Sequence, residues 1–189
     1  MENLSVKDLM VPIEEYATVR YGTTLLGAIQ ELEKVQESYT DSKYQHRSIL
    51  VLDEEERVVG KIGQLRILKA VETRHDLKEE LDHLKKFRFS EKFISNRREQ
   101  YRQQGPILNR ESLKEAMNKK VEEFMQKPTP GEFVSESSSI DLAIHRLVSG
   151  THLSLLVTKD DRIVGILRIA DVFAAVFHEV KAKGLDECQ

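Results

Sequence analysis

Tryptophan is absent from the chain, and cysteine occurs once, as Cys188. A single cysteine excludes an intrachain disulfide framework and a cysteine-based zinc site. Glycine is sparse at nine residues. No Gly-x-Gly-x-x-Gly and no Gly-x-x-x-x-Gly-Lys-[Ser/Thr] is found, so the glycine-rich phosphate loops of many nucleotide-processing enzymes are missing. The six histidines show no metal-ligand spacing, and there is no Gly-x-Ser-x-Gly nucleophile elbow. No run approaches the ~18 apolar residues of a membrane span, and the opening MENLSVKDLM lacks the apolar stretch of a signal peptide. These absences lead to the expectation of a cytoplasmic protein that is not an enzyme, has no metal or cofactor, and has no membrane partner. What is present is 189 residues, 40% hydrophobic and 32% charged. That is enough apolar material for one compact domain, or two small ones sharing a core.

The net charge of −3 hides an uneven distribution. Residues 1–84 carry 11 Lys+Arg against 17 Asp+Glu, residues 85–120 carry 11 against 4, and residues 121–189 carry 7 against 11. An acidic body thus flanks a basic middle segment. Such asymmetry marks either a binding surface or a solvated face laid against the acidic body.

An internal repeat organises the rest. Residues 6–32 align without a gap on residues 121–147, with Val6/Val121, Met10/Met125, Val19/Val134, Ala28/Ala143, Ile29/Ile144 and Leu32/Leu147 identical. Residues 46–71 align on 151–176, with Leu50/Leu155, Arg57/Arg162, Val59/Val164, Gly60/Gly165, Ala70/Ala175 and Val71/Val176 identical. The first copy holds ten extra residues near 33–45, read as a longer helix end and loop. In each copy a short helical turn (VKDLM, VEEFM) leads into an extended segment. Thr23-Thr24 and Ser137–Ser139 then sit where a helix N-cap belongs. Apolar residues at helical spacing follow, then an apolar strand (SILVLD, LSLLVT), an acidic hairpin turn (DEEE, KDDR), a strand with one Gly (RVVGKI, RIVGIL) and an amphipathic helix. The unit is β-α-β-β-α, too small to bury enough surface alone, so two copies are expected to pack on each other.

This order of motifs resembles a CBS-domain pair, or Bateman module. The residues that carry the resemblance are Val-x-[Asp/Glu]-[Leu/Phe]-Met at each head, the Thr/Ser-rich helix starts, the Arg-[Val/Ile]-Val-Gly strands, and Gly165–Val172, which matches the family's Gly-h-h-[Ser/Thr]-x-x-Asp ending. The resemblance implies an α+β fold of tandem repeats related by a pseudo-twofold axis. The domains expected are a first repeat over 1–76, an inserted helical arm over 77–120, and a second repeat with a C-terminal tail over 121–189.

It also implies a ligand sensor with two clefts between the copies, able to hold an adenosine-containing ligand such as AMP, ATP or S-adenosylmethionine. In one cleft Asp171 takes the ribose-binding role, with Arg168 beside it and Pro12, Ala17, His46 and Arg47 from the first copy. Arg168 stands where the family has Ser or Thr. It either binds phosphate through its guanidinium or fills the cleft by pairing with Asp171. In the other cleft Arg66 occupies the ribose-carboxylate position and Gly63 the Ser/Thr position, with Glu132 and His152 from the second copy. Arg66 has no acceptor for ribose hydroxyls, so this cleft is expected to be empty or to take an anion, Arg66 otherwise forming a surface salt bridge.

The basic segment lies outside the repeat. Leu77, Leu81 and Leu84 form an amphipathic stripe extended by Phe87, Phe89, Phe93, Ile94 and Tyr101. Gly105-Pro106 breaks the helix, and a second one starts near Asn109 or Ser112. Three roles compete for this arm: a dimer clasp, which the long apolar stripe favours, a partner-binding arm, and a nucleic-acid contact. The last is not expected, because no nucleic-acid motif is present and the whole protein is acidic. The leading functional reading is a regulatory module that binds an AMP-, ADP- or ATP-like nucleotide, forms a homodimer and modulates a partner protein. The alternative is a nucleotide-independent dimerisation or interaction module.

Overall fold

The computed structural model describes residues 4–38, 47–72, 77–103 and 110–184. The first repeat comprises β2 (Thr18–Arg20), α1 (Leu25–Ser38), β3 (Ser48–Leu52), β4 (Val58–Gly63) and α2 (Gln64–Val71). The second comprises β5 (Phe133–Ser135), α7 (Ile140–Ser149), β6 (Ser154–Lys159), β7 (Arg162–Arg168) and α8 (Ile169–Ala182). A short strand β1 (Val11–Pro12) precedes the first repeat, and α6 (Val121–Phe124) heads the second. Between the repeats lie α3 (Leu77–Lys86), α4 (Glu91–Gln103) and α5 (Arg110–Asn118). The β-α-β-β-α order read from the sequence is the order observed.

Local chemistry accounts for the boundaries. Ser139 caps α7 by accepting the Leu142 N–H at 3.3 Å, and the Thr24 hydroxyl accepts the Gly27 N–H at 3.2 Å at the start of α1. In the second hairpin Asp160 and Asp161 take φ of 46° and 62°, the left-handed pair that a two-residue turn between twisted strands requires. In the first, the Asp53 carboxylate accepts the Glu55 and Arg57 N–H groups at 3.0 and 2.8 Å. α1 is four residues longer than α7, which accounts for part of the first copy's insertion; the remainder falls outside the described residues, as do Gly105-Pro106, Asn109 and Cys188.

The sheets are β2-β3-β4 and β1-β7-β6-β5. In each repeat the first strand is parallel to the second, which is antiparallel to the third. Alternation along the central strands divides the interior. Ile49 and Val51 of β3 face the first core, and Leu155 and Val157 of β6 face the second. Leu50 and Leu156 point the other way and meet Val11, Tyr16 and Ile166 in a third cluster that joins the repeats.

The heads of the repeats are exchanged. Val6 packs in the core of the second repeat, while Val121 and Phe124 pack in that of the first. Val6 N–H donates to Ser138 C=O and Val121 N–H to Thr23 C=O, both at 2.9 Å. The repeated glycine makes this crossing possible. A Cβ on Gly165 would lie 2.6 Å from the Val11 carbonyl oxygen, and one on Gly60 would strike the Met125 side chain.

Two sequence readings need correction. α5, counted with the inserted arm, packs on α1 and α2 and buries Ala116 in the first core. The single stripe expected over 77–101 is divided by a turn at 87–90, so that α3 and α4 form a hairpin.

Candidate functional site

β4 and β7 each run directly into a helix. Gly63 and Arg168 are the N-caps of α2 and α8, and neither supplies a side-chain cap. In the sheets Ser48 stands opposite Gly63 and Ser154 opposite Arg168. The two strand starts and the two helix starts meet in one cavity of about 560 Å³, within the ~300–1,000 Å³ range of small-molecule sites. Arg47, Gly63, Arg66, Glu132, His152 and Arg168 all line it.

Arg168 is 7% exposed and holds Asp171 by a bidentate ion pair, Nε to Oδ2 at 2.5 Å and Nη2 to Oδ1 at 2.7 Å. Of the two roles open to Arg168, the observed one is the pair with Asp171, and it engages both carboxylate oxygens. Nearby, Tyr16 is buried with its hydroxyl 2.6 Å from Ser48 Oγ. Burial pushes the phenol pKa up, and the Ser48 hydrogen bond offsets part of that rise.

A second buried pair lines the same cavity as Arg168. Lys61 Nζ lies 2.7 Å from Glu132 Oε2 and 3.3 Å from Ser154 Oγ. Glu132, 1% exposed, also accepts from the Thr129 N–H at 3.2 Å, the Thr129 hydroxyl at 3.1 Å and Gln126 Nε2 at 3.4 Å. Burial alone raises a carboxyl pKa. Here the Lys61 hydrogen bond and charge, with the Thr129 donors, outweigh burial and hold Glu132 below its ordinary value.

Other expected residues sit elsewhere. Pro12 pairs with Gly165 in the β1–β7 ladder, and Ala17 is fully buried in the first core; neither lines the cavity, and Asp171 adjoins it only through Arg168. His46 falls outside the described residues. Arg66 is half-buried at the start of α2, and among the described residues no ion pair joins it to a carboxylate. The His152 ring packs over Gly150 and Gly131. Sequence reasoning missed Tyr16, Ser48, Lys61, Gln126 and Ser154. Lys61 left a visible signal, a lysine inside RVVGKI where the second copy has isoleucine.

Lys61 and Arg168 are matched by Glu132 and Asp171, whereas among the described residues no ion pair engages Arg47 or Arg66 on the cavity wall. The cavity is therefore electropositive. With two exchanged-head β-α-β-β-α units enclosing it, the protein is a tandem-repeat α+β module with an inter-repeat cavity. The CBS-domain family model matches residues 6–73 and 121–178, and the chain belongs to that family.

Solved structures with this fold include a CBS domain-containing protein from Bacillus anthracis str. Ames Ancestor, at TM-score 0.61 and 20% identity, covering 95% of this chain and 96% of that one. A crystal structure of CBSX2 in complex with AMP matches at TM-score 0.55 and 19% identity, over 93% of this chain and 98% of that one. Protein MJ1004 from Methanocaldococcus jannaschii matches at TM-score 0.56 and 21% identity over 92% of this chain, which spans only 59% of the length of that protein. Among curated proteins none matches the chain.

Proposed function

We propose that the module is a regulatory sensor that binds an adenine nucleotide in the inter-repeat cavity and transmits its occupancy to a partner protein. The observation that carries this reading is the convergence of two helix starts and of Arg47, Arg66 and Arg168 from both repeats on one cavity. Such a site favours an anionic ligand. CBS domains commonly serve as nucleotide sensors, and the CBSX2 structure contains AMP. A regulatory role in the cytoplasm, where such nucleotides are abundant, accompanies this reading.

The Arg168–Asp171 pair sets a condition on the ligand. Ribose hydroxyls reach the Asp171 carboxylate only in competition with Arg168, which already engages both of its oxygens, and parting a buried ion pair is costly. A ligand phosphate compensates Arg168, whereas the uncharged nucleoside does not. Isothermal titration calorimetry is therefore expected to show micromolar binding of AMP, ADP or ATP, no binding of adenosine, and loss of binding in Asp171→Ala. Failure of every adenine nucleotide to bind or to raise the melting temperature overturns the sensor reading. That outcome favours the second reading, a nucleotide-independent interaction module, which the already satisfied Arg168–Asp171 pair supports.

The same face supports a homodimer. Leu65, Leu68, Leu153 and Ile169 all lie on the cavity wall and are 65%, 65%, 77% and 43% exposed. Phe173 and Phe177 continue the apolar row one and two turns along α8. In this proposal a second copy covers the α2 and α8 faces, so ligand occupancy and subunit packing act on the same helices.

A further inference from the structure

The helical hairpin presents a surface that the cavity does not use. α3 and α4 bury Leu81 and Ile94 between them, to 7% and 3% exposure. Arg97 Nε lies 2.9 Å from Glu80 Oε1, and Tyr101 donates to the same carboxylate. Of the apolar positions that the sequence offered to a partner helix, Leu81 and Ile94 are thus buried and Leu84 and Tyr101 half-buried. The exposed aromatic residues of the hairpin are confined to the end that holds its turn. Phe87, Phe89 and Phe93 are 78%, 47% and 46% exposed, with Phe89 and Phe93 stacked at 5.1 Å between ring centroids. Lys86, Arg88 and Lys92 lie beside them in sequence, all exposed, with Lys85, whose Nζ is 3.6 Å from Asp82 Oδ1, and Glu91 is the single acidic residue between 85 and 92.

A partner helix lying alongside requires apolar residues repeating along the length of the arm. An apolar end ringed by cations instead matches a surface that is anionic outside and apolar beneath. We propose that this tip docks on an anionic lipid bilayer. Phe87, Phe89 and Phe93 enter the boundary between headgroups and acyl chains, and Lys85, Lys86, Arg88 and Lys92 face the lipid anions. The same surface repels the acidic repeats, so the arm meets it end-on and holds the sensor body off. The expectation of no membrane partner rested on the search for a spanning segment or a signal peptide. Surface docking requires neither.

Sedimentation of the full-length protein with vesicles tests this. Binding is expected to vesicles of phosphatidylcholine with about 30 mol% phosphatidylserine and not to phosphatidylcholine alone. It is expected to weaken strongly in about 0.5 M salt. The Phe87→Ser/Phe89→Ser/Phe93→Ser variant should lose at least tenfold in binding, as should Lys86→Glu/Arg88→Glu. Both change exposed residues, and a melting temperature equal to wild type establishes that they are folded. Phe→Leu at all three positions should retain binding. Absence of wild-type binding to the anionic vesicles overturns the proposal. So does undiminished binding of the folded serine variant, which would place the contact on another face. A change of oligomeric state in that variant without any vesicle binding also overturns it, assigning the tip to contact between copies.

Discussion

At position 61 the first repeat carries a lysine where the second carries Ile166, and the two sites differ accordingly. Ile166 is buried among Val11, Leu50 and Leu156. Lys61 reaches Glu132 instead, with the two side chains 14% and 1% exposed. Removing one member of a buried pair leaves an uncompensated charge. Lys61→Met is therefore expected to destabilise the protein by about 3 kcal/mol in chemical denaturation. Lys61→Met/Glu132→Gln, which removes both charges, should recover most of that loss. A double variant as unstable as the single one would show that the packing of the lysine stem, not its charge, matters there. The pair also sets a pH dependence. Because the folded-state pKa of Glu132 is lowered, its stabilisation is complete above about pH 4.5 and is lost as the pH falls through the lowered value. Wild type should lose this increment of stability on acidification, and Glu132→Gln should lack it.

Elements were more legible in the sequence than the contacts between them. The repeated pattern identified every strand and helix of both units, because periodicity and capping residues act within a few positions. It aligned the first strand of the hairpin one residue out of register, however. Val51 pairs with Gly60 and Val157 with Gly165, so the first hairpin holds one more residue than the second, and Ser48 corresponds to Ser154. An ungapped comparison does not detect a single residue added in a turn. The exchange of heads was hidden for a different reason. Val6 and Val121 are equivalent in sequence, and nothing in either motif says which core receives it. The cavity was legible where it depended on helix starts, as at Gly63, Arg66 and Arg168. It was not legible at Tyr16 or Ser154, whose roles come from long-range packing. The exchange carries a prediction at this scale. Phe124 is 9% exposed in the first core, and Phe124→Ala should cost about 3–5 kcal/mol. If urea unfolding is a single transition, that loss should appear in the stability of the whole chain. An independent early transition confined to one repeat would show that the exchange does not couple them.

At the scale of the molecule the exchange means that neither repeat owns a complete core. The first repeat takes Ala116, Val121 and Phe124 from beyond the α3/α4 hairpin, and the second takes Val6 from the head of the first. The arm therefore joins two halves that share core residues, and its hairpin is the part that the three clusters leave outside. Two of the exposed apolar patches among the described residues, the hairpin tip and the α2/α8 face, differ in chemistry. The tip is ringed by cations, whereas the α2/α8 row runs Leu65, Leu68, Ile169, Phe173 and Phe177 at helical spacings suited to another pair of helices. A charge placed centrally in that row should separate the copies without touching either core, since Phe173 is 65% exposed. Phe173→Asp is expected to keep the wild-type circular dichroism and to scatter light as a particle of about 21.8 kDa, half the mass of the proposed dimer. If the wild type itself scatters as a monomer, the α2/α8 face is not an interface between copies. If the variant remains dimeric, the copies meet elsewhere. Should the variant become monomeric and also bind AMP more weakly, the cavity beside Ile169 is completed by the second copy, and ligand and assembly are linked through the same two helices.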